Sequence, residues 1–159
     1  MTPTFIALLD DPVALTLWAA GFFDGEGSIN ITNQVQQSTG RMYHALCLST
    51  AQVSREPLDV LAARWGGTVV SRVPGPTARP NTQLSFAWQV RSQQAENFLR
   101  DIQPYAIVKA RDIEIALRFR EIKATRGGVT GQGRGTPRQQ DVHDAREALR
   151  LELLERRVR

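Results

Sequence analysis

WAAGFFDGEGSINIT, residues 18–32, carries a change of hydrophobic period that decides the fold. Before it, apolar residues recur at helical spacing (Val13, Leu17, Ala20, Gly21) and Pro12 suits a first turn. A helix is therefore expected from Pro12 to Phe23, ending near Gly25. After it the period falls to two. Ile29, Ile31 and Val35, interrupted by Asn33, point one way, and Ser28, Asn30, Thr32, Gln34 and Gln36 the other, the pattern of a strand with one buried and one polar face.

Working outward, Ser38-Thr39-Gly40 supplies a turn, and His44 to Gln52 reads as a strand pairing back on the first in a hairpin. A helix follows over Glu56 to Trp65, with Ser54 as its expected cap, Pro57 in its first turn and Gly66-Gly67 closing it. Two more strands, Thr68 to Val73 and Gln83 to Arg91, flank the loop PGPTARPN. In the second of them Leu84, Phe86, Trp88 and Val90 alternate with Gln83, Ser85, Ala87, Gln89 and Arg91. Ser92 is expected to cap a short helix reaching Ile102. Gln103-Pro104 breaks it, and an amphipathic helix runs from about Ile107 to Ala124. Residues 126–137, RGGVTGQGRGTP, hold five glycines and read as a flexible loop before a C-terminal helix over 138–159, whose charged side chains fit a solvated face. These glycines do not follow a strand, as a phosphate-cradling loop would require.

The order α-β-β-α-β-β-α describes an α+β fold, a four-stranded, mostly antiparallel sheet with helices on one face. A length of 159 residues suits one domain, here 1–159 with its core over about 12–124. Hydrophobic residues at 42% and charged residues at 23% exclude disordered and collagen-like classes. No apolar run approaches the roughly 18 residues that span a bilayer, and the N-terminus carries Asp10 and Asp11 in place of a basic signal region. Cys47, the single cysteine, sits in an alternating apolar stretch and is expected to be buried and inert; a reducing compartment follows. His44 and His143 lack metal-ligand spacing.

Charge is distributed unevenly. Residues 1–60 hold two basic and six acidic side chains, residues 61–159 eighteen and ten, and eighteen of the twenty basic residues are arginine. Arginine forks match phosphates and guanine edges, which points to a polyanionic partner, although a codon bias toward arginine would give the same composition. The sheet face left uncovered by helices presents Ser, Asn, Thr, Gln and Arg, side chains able to match base edges; a solvated polar face is the alternative.

Residues 19–27, Ala19-Ala20-Gly21-Phe22-Phe23-Asp24-Gly25-Glu26-Gly27, resemble the signature of the LAGLIDADG homing endonucleases: Gly21, Asp24 and Gly27 are identical, and Glu26 takes the acidic penultimate place. Ala19 departs from the usual leucine. The likeness extends over about residues 13–120, since PLDVLAARWGGTVV resembles the family's second helix and third strand, and FAWQVRSQQAENFLRDIQPYAIVKARDIEIALRF its fourth strand, short helix and Pro-aromatic turn before a lysine.

The resemblance implies a site-specific nuclease for double-stranded DNA that hydrolyses phosphodiester bonds with Mg²⁺, or another divalent cation such as Mn²⁺. One copy of the motif implies a homodimer on a long, near-palindromic site. Ala20, Gly21, Asp24 and Gly25 would form the dimer interface, small residues letting two helices approach closely. Glu26 and Gly25 would hold the metal beside the twofold axis, which would polarise the scissile phosphate and activate water for in-line attack. Lys109, one of two lysines, would stabilise charge, with Gln52 and Arg55 as further catalytic candidates from the end of the second strand, and Thr50 or Ser54 as substitutes if the alignment slips. DNA reading would fall to Ser28, Asn30, Thr32, Gln34, Gln36, Arg72, Gln83, Ser85 and Gln89. No membrane or small-molecule partner is implied. The expected location is the cytoplasm of a bacterial or phage host, with an organelle or nucleus compatible as well. The alternative is a non-cleaving nucleic-acid binder of the same fold, an RNA maturase or transcription regulator. An intein-borne nuclease finds no self-splicing sequence around the motif.

Overall fold

The computed structural model describes residues 3–74, 83–122 and 137–158. Two helices, α1 (Pro3–Asp10) and α2 (Pro12–Glu26), lead into the hairpin β1 (Gly27–Gln36) and β2 (Arg41–Gln52). Then come α3 (Glu56–Trp65), β3 (Thr68–Arg72), β4 (Ser85–Arg91) and α4 (Ser92–Ile102), a 3-10 turn at Gln103–Tyr105, α5 (Ala110–Glu121) and α6 (Pro137–Val158). The sheet order is β1-β2-β4-β3, and every pairing is antiparallel. The expected α+β order is therefore present, with one added helix: α1 packs Leu8 and Leu9 against the core ahead of the first expected element.

Alternation sorts each strand. Ile29, Ile31, Leu46, Leu48, Trp88 and Val90 are buried against the helices, where Phe23, Phe98, Leu99, Ile113 and Ile115 meet them. Phe98 is the centre of an aromatic cluster, edge-on to Phe23, Trp65 and Trp88 at centroid distances of 5.0–5.1 Å. Gly67, at φ +88, lies where a Cβ would come within 2.5 Å of the Gln89 carbonyl, so the expected Gly-Gly terminator also lets β3 approach β4.

The boundaries differ from expectation where capping chemistry differs. Asp11 caps α2, its carboxylate accepting the N–H groups of Val13 and Ala14 at 3.0 Å, and the helix runs on to Glu26. Arg55, not Ser54, stands at the start of α3 without a side-chain cap bond. Ser92 is the first residue of α4 rather than its cap, at φ +52 where strand turns into helix. The helix expected from Ile107 begins at Ala110, because residues 107–109 form a turn held from outside. The loop expected over 126–137 lies outside the described residues, except that Pro137 already begins α6; Lys123 and Ala124 and residues 75–82 of the loop between β3 and β4 lie outside them as well.

α6 buries Leu149 and Leu153 and runs across the hairpin beside α5, so its charged face is only partly a solvated one. Midway along it, Glu147 accepts a bond from buried His44 of β2 at 2.7 Å and from Arg150; these bonds, the arginine's first, hold the Glu147 carboxyl down to about 2. Near its end, Arg156 pairs with Asp112 of α5 at 2.5 Å. No helix among the described residues is long and apolar enough to cross a membrane.

Candidate nucleic-acid interface and active centre

Helix α2 passes into β1 with no linker. Gly27 closes the helix, its N–H donating to the Phe23 carbonyl, and a Cβ there would fall 2.3 Å from the Phe23 ring. Only glycine fits. Around this junction the chain returns from two distant places. The Asp24 carboxylate accepts the backbone N–H groups of Ile107 (2.6 Å), Val108 (3.0 Å) and Lys109 (3.0 Å), and the Lys109 ammonium donates back to the Asp24 carbonyl. Burial pushes the Asp24 carboxyl up, but the bonds from Ile107, Lys109 and Val108 and the lysine's charge outweigh it, leaving the group below its ordinary 3.8. From the sheet side, the Thr50 hydroxyl donates to the Glu26 carbonyl at 3.3 Å. Glu26 itself is exposed, and among the described residues no hydrogen bond or ion pair reaches its carboxylate.

The outer face of α2 is unusual for a helix beginning a fold. Val13 (65% exposed), Leu17 (48%), Gly21 and Gly25 follow one another at intervals of four, one stripe along the surface. A Cβ on Gly21 or Gly25 would meet nothing within 4 Å among the described residues. None of the described residues asks for glycine at either position, in contrast to Gly27.

On the sheet, the register places Ser28 beside Ser49, Ser49 beside Gln89 and Gln89 beside Thr68, one polar row across all four strands. Asn30, Cys47 and Arg91 form a second row, and Ser85 pairs with Arg72. The face turned from the helices thus collects Ser28, Asn30, Thr32, Gln34, Gln36, Arg72, Ser85 and Gln89. No strand contains an Asp or Glu. Arg72 and Arg91 are exposed there and make no ion pair among the described residues, whereas Arg55, Arg100, Arg111, Arg118, Arg120, Arg150 and Arg156 each pair with an acid of the chain.

Solved structures share this architecture. Over 91% of this chain and 85% of its own, the archaeal intron-encoded homing endonuclease I-Vdi141I, complexed with DNA, superposes with a TM-score of 0.67 at 17% identity. The fold is that of a homing endonuclease. The meganuclease I-SmaMI bound to uncleaveable DNA gives a TM-score of 0.61 at 16% identity over 85% of this chain and 42% of its own. The homing endonuclease I-CvuI, in complex with a DNA target in the presence of Mg, gives 0.56 at 17% over 85% and 94%. No protein-family model matches the chain, and no curated protein is similar to it in sequence.

On this homing-endonuclease fold the residues singled out in the sequence divide into groups. Glu26 and Gly25 stand at the end of α2, where Lys109 donates to the carbonyl of the adjoining Asp24, and Gln52 lies two residues beyond Thr50, whose hydroxyl bonds the Glu26 carbonyl. Gln52 pairs with Phe86 and so lies on the helix-facing side of the strand pattern; Arg55 pairs with Asp59 at 3.1 Å and lies over the Phe86 ring. Ala20 is a correction: at 1% exposure it fills the chain's own core, so its small size serves internal packing rather than a partner's approach. Asp24 likewise commits its carboxylate to the turn before α5. Gln83 precedes β4, exposed and outside the ladder. Cys47 is a second correction, half-buried on the open face between Asn30 and Arg91 instead of in the core. Sequence reasoning left Ser49, Thr68 and Arg91 out of the expected DNA set, although the alternation of β2, β3 and β4, once registered on β1, puts all three on the same face as Ser28 and Asn30.

Proposed function

We propose that the chain is a site-specific endonuclease of double-stranded DNA, working as a symmetric pair of copies with a divalent cation. The observation that carries this is the acid-free open face of the sheet. A surface with Asn, Gln, Ser and Thr in rows, with Arg72 and Arg91 making no ion pair among the described residues and with no carboxylate in β1 to β4, is suited to a polyanion bearing hydrogen-bonding base edges. Its length fits as well: the 12 residues of β2 extend roughly 40 Å at about 3.3 Å each, near one turn of duplex.

The second copy is argued from α2. An exposed stripe of Val13 and Leu17 continuing into two glycines that the chain itself does not need would let a twin helix approach backbone to backbone. Such packing would bring the Glu26 of each copy to the shared axis. A hard cation prefers oxygen donors, and the exposed Glu26 carboxylate and the Gly25 carbonyl offer them. Among the described residues these donors stand without a group of three or more His, Cys, Asp or Glu around them. A second Glu26 and DNA phosphates would complete the set. Mg²⁺ or Mn²⁺, when bound, would supply positive charge at the scissile phosphate and acidify water. Lys109, held against the Asp24 carbonyl, would keep its ammonium beside the developing charge, and Asp24 would fix the turn that carries it.

The test is Glu26→Gln, which keeps the shape of the junction and removes the charge. With sites selected from a random pool, the variant should bind the same duplex as the parent and lose at least 100-fold in linearising a supercoiled plasmid with Mg²⁺. Cleavage at the parental rate would remove Glu26 from the chemistry. Binding without cleavage by the parent itself would favour a regulator of the same fold.

A further inference from the structure

α6 begins over the hairpin tip and ends at the open edge of β1, and there its last turn reaches the nucleic-acid face. Arg157 donates from Nη1 to Asn30 Oδ1 at 2.8 Å and from Nη2 to the Ile29 carbonyl. On its other side Asn30 donates from Nδ2 to Ser28 Oγ at 3.0 Å. Ser28, Asn30 and Arg157 therefore form one chain of bonds at the start of the face, two to four residues from Glu26 along β1 and against the end of α6.

From this geometry we infer that Arg157 is a positioning residue for base reading: it fixes which way round the Asn30 amide stands, and so which base that side chain accepts. An asparagine amide has an oxygen and an NH₂ group of nearly equal shape, and an unanchored one turns over freely. A guanidinium only donates, so the amide atom facing Arg157 must be the oxygen, and the NH₂ group must face Ser28. One N–H and one oxygen lone pair remain to the outside. That donor-acceptor pair, in a set order, matches the N7 and N6 edge of adenine in the major groove. The Ile29 carbonyl, on the outer edge of the sheet, holds the guanidinium in place, and Asp112 holds the neighbouring Arg156, so the end of α6 is tied on both sides. The inference rests on the reading of the sheet face as a DNA surface and adds α6, 127 residues away in sequence from Asn30, to the specificity machinery.

The experiment compares the full chain with Arg157→Met, Arg157→Lys and Asn30→Ala, each selecting bound sites from a randomised duplex pool. The expected result is loss of preference at one symmetric pair of positions, about tenfold within the range of a single bidentate base contact, in both Arg157→Met and Asn30→Ala. The lysine variant, still only a donor, should retain that preference, and Arg157→Met combined with Asn30→Ala should lose no more than Asn30→Ala alone. Selection of unchanged sites by Arg157→Met overturns the inference while leaving the DNA reading intact. So does weakening spread evenly over all sequences, with a salt slope smaller by about one, which would make Arg157 a phosphate contact only. If the parent chain enriches no sequence at all, the DNA reading falls and the inference with it. Thermal melting of each variant shows that the sheet and α6 are still folded.

Discussion

Gly21→Leu should make the isolated chain more stable and the pair of chains less so. Gly21 is the tenth residue of the 15-residue α2, and nothing stands within 4 Å of its would-be Cβ. Replacing an exposed mid-helix glycine with a good helix former contributes about 0.8 kcal/mol, since glycine loses more backbone freedom on folding. For a chain of this size that is a rise of roughly 2–3 °C in Tm for the monomer. Across a twofold axis the same leucine would stand between two backbones. Overpacking costs about 1–3 kcal/mol per site, and the symmetry doubles it, so association should weaken from roughly 30-fold to beyond 1,000-fold. The two effects have opposite signs, which separates an interface from a fold defect. Melting at low concentration and sedimentation equilibrium across a concentration series read them, with plasmid cleavage as a third measure. A variant that melts higher yet associates and cleaves like the parent would refute the helix-to-helix pairing.

Other outcomes follow from the same contacts. Cys47, half-buried between Asn30 and Arg91, should react with a bulky maleimide; the adduct should stop DNA binding, and bound DNA should slow the reaction, as mass spectrometry would record. A thiol equally reactive with and without DNA would place the nucleic acid elsewhere. Asp24→Asn retains an acceptor but loses the charge shared by three N–H groups, for a cost of about 1–3 kcal/mol. Because the folded Asp24 carboxyl lies below its ordinary value, its contribution is whole above about pH 4 and lost as pH falls through the folded pKa. The gap between parent and variant in urea titrations should therefore shrink toward pH 3; a gap that stays constant would remove the carboxylate's charge from the account. Arg72→Ala and Arg91→Ala should each weaken binding and lower the salt slope by about one if they meet phosphate, whereas a base contact would show as relaxed preference at one position.

Much of the fold was legible in residues 12–73 because each boundary there has a local cause. A period of about 3.6 becomes a period of two at Gly27, and Gly66-Gly67 stops α3 where backbone space allows only glycine. α1 went unseen because its apolar residues form one short unbroken run, Phe5 to Leu9, in which helix and strand periods cannot be told apart, and because Leu8 and Leu9 lean on a core built by later residues. The open face was readable for the same reason as the core: one strand's alternation names both sides, and pairing then carries Ser49, Thr68 and Arg91 to the side of Ser28 and Asn30.

What a sequence does not display is which side chain answers which across the fold. Asp24 looks like a candidate ligand or interface residue until Lys109, 85 positions later, is found on its carboxylate; Ala20 looks like an interface residue until its neighbours are seen to bury it. The glycines show the distinction in its sharpest form. Gly21, Gly25 and Gly27 are identical letters within seven residues, yet a Cβ at Gly27 strikes the Phe23 ring while a Cβ at the other two meets empty space. The first is required by this chain. The other two lower the stability of α2 by about 1 kcal/mol each relative to alanine, with no return inside the monomer. In the proposed pair of chains that cost would be offset where the two glycines let a second α2 approach, and the exposed Val13 and Leu17 on the same stripe would meet its apolar side chains.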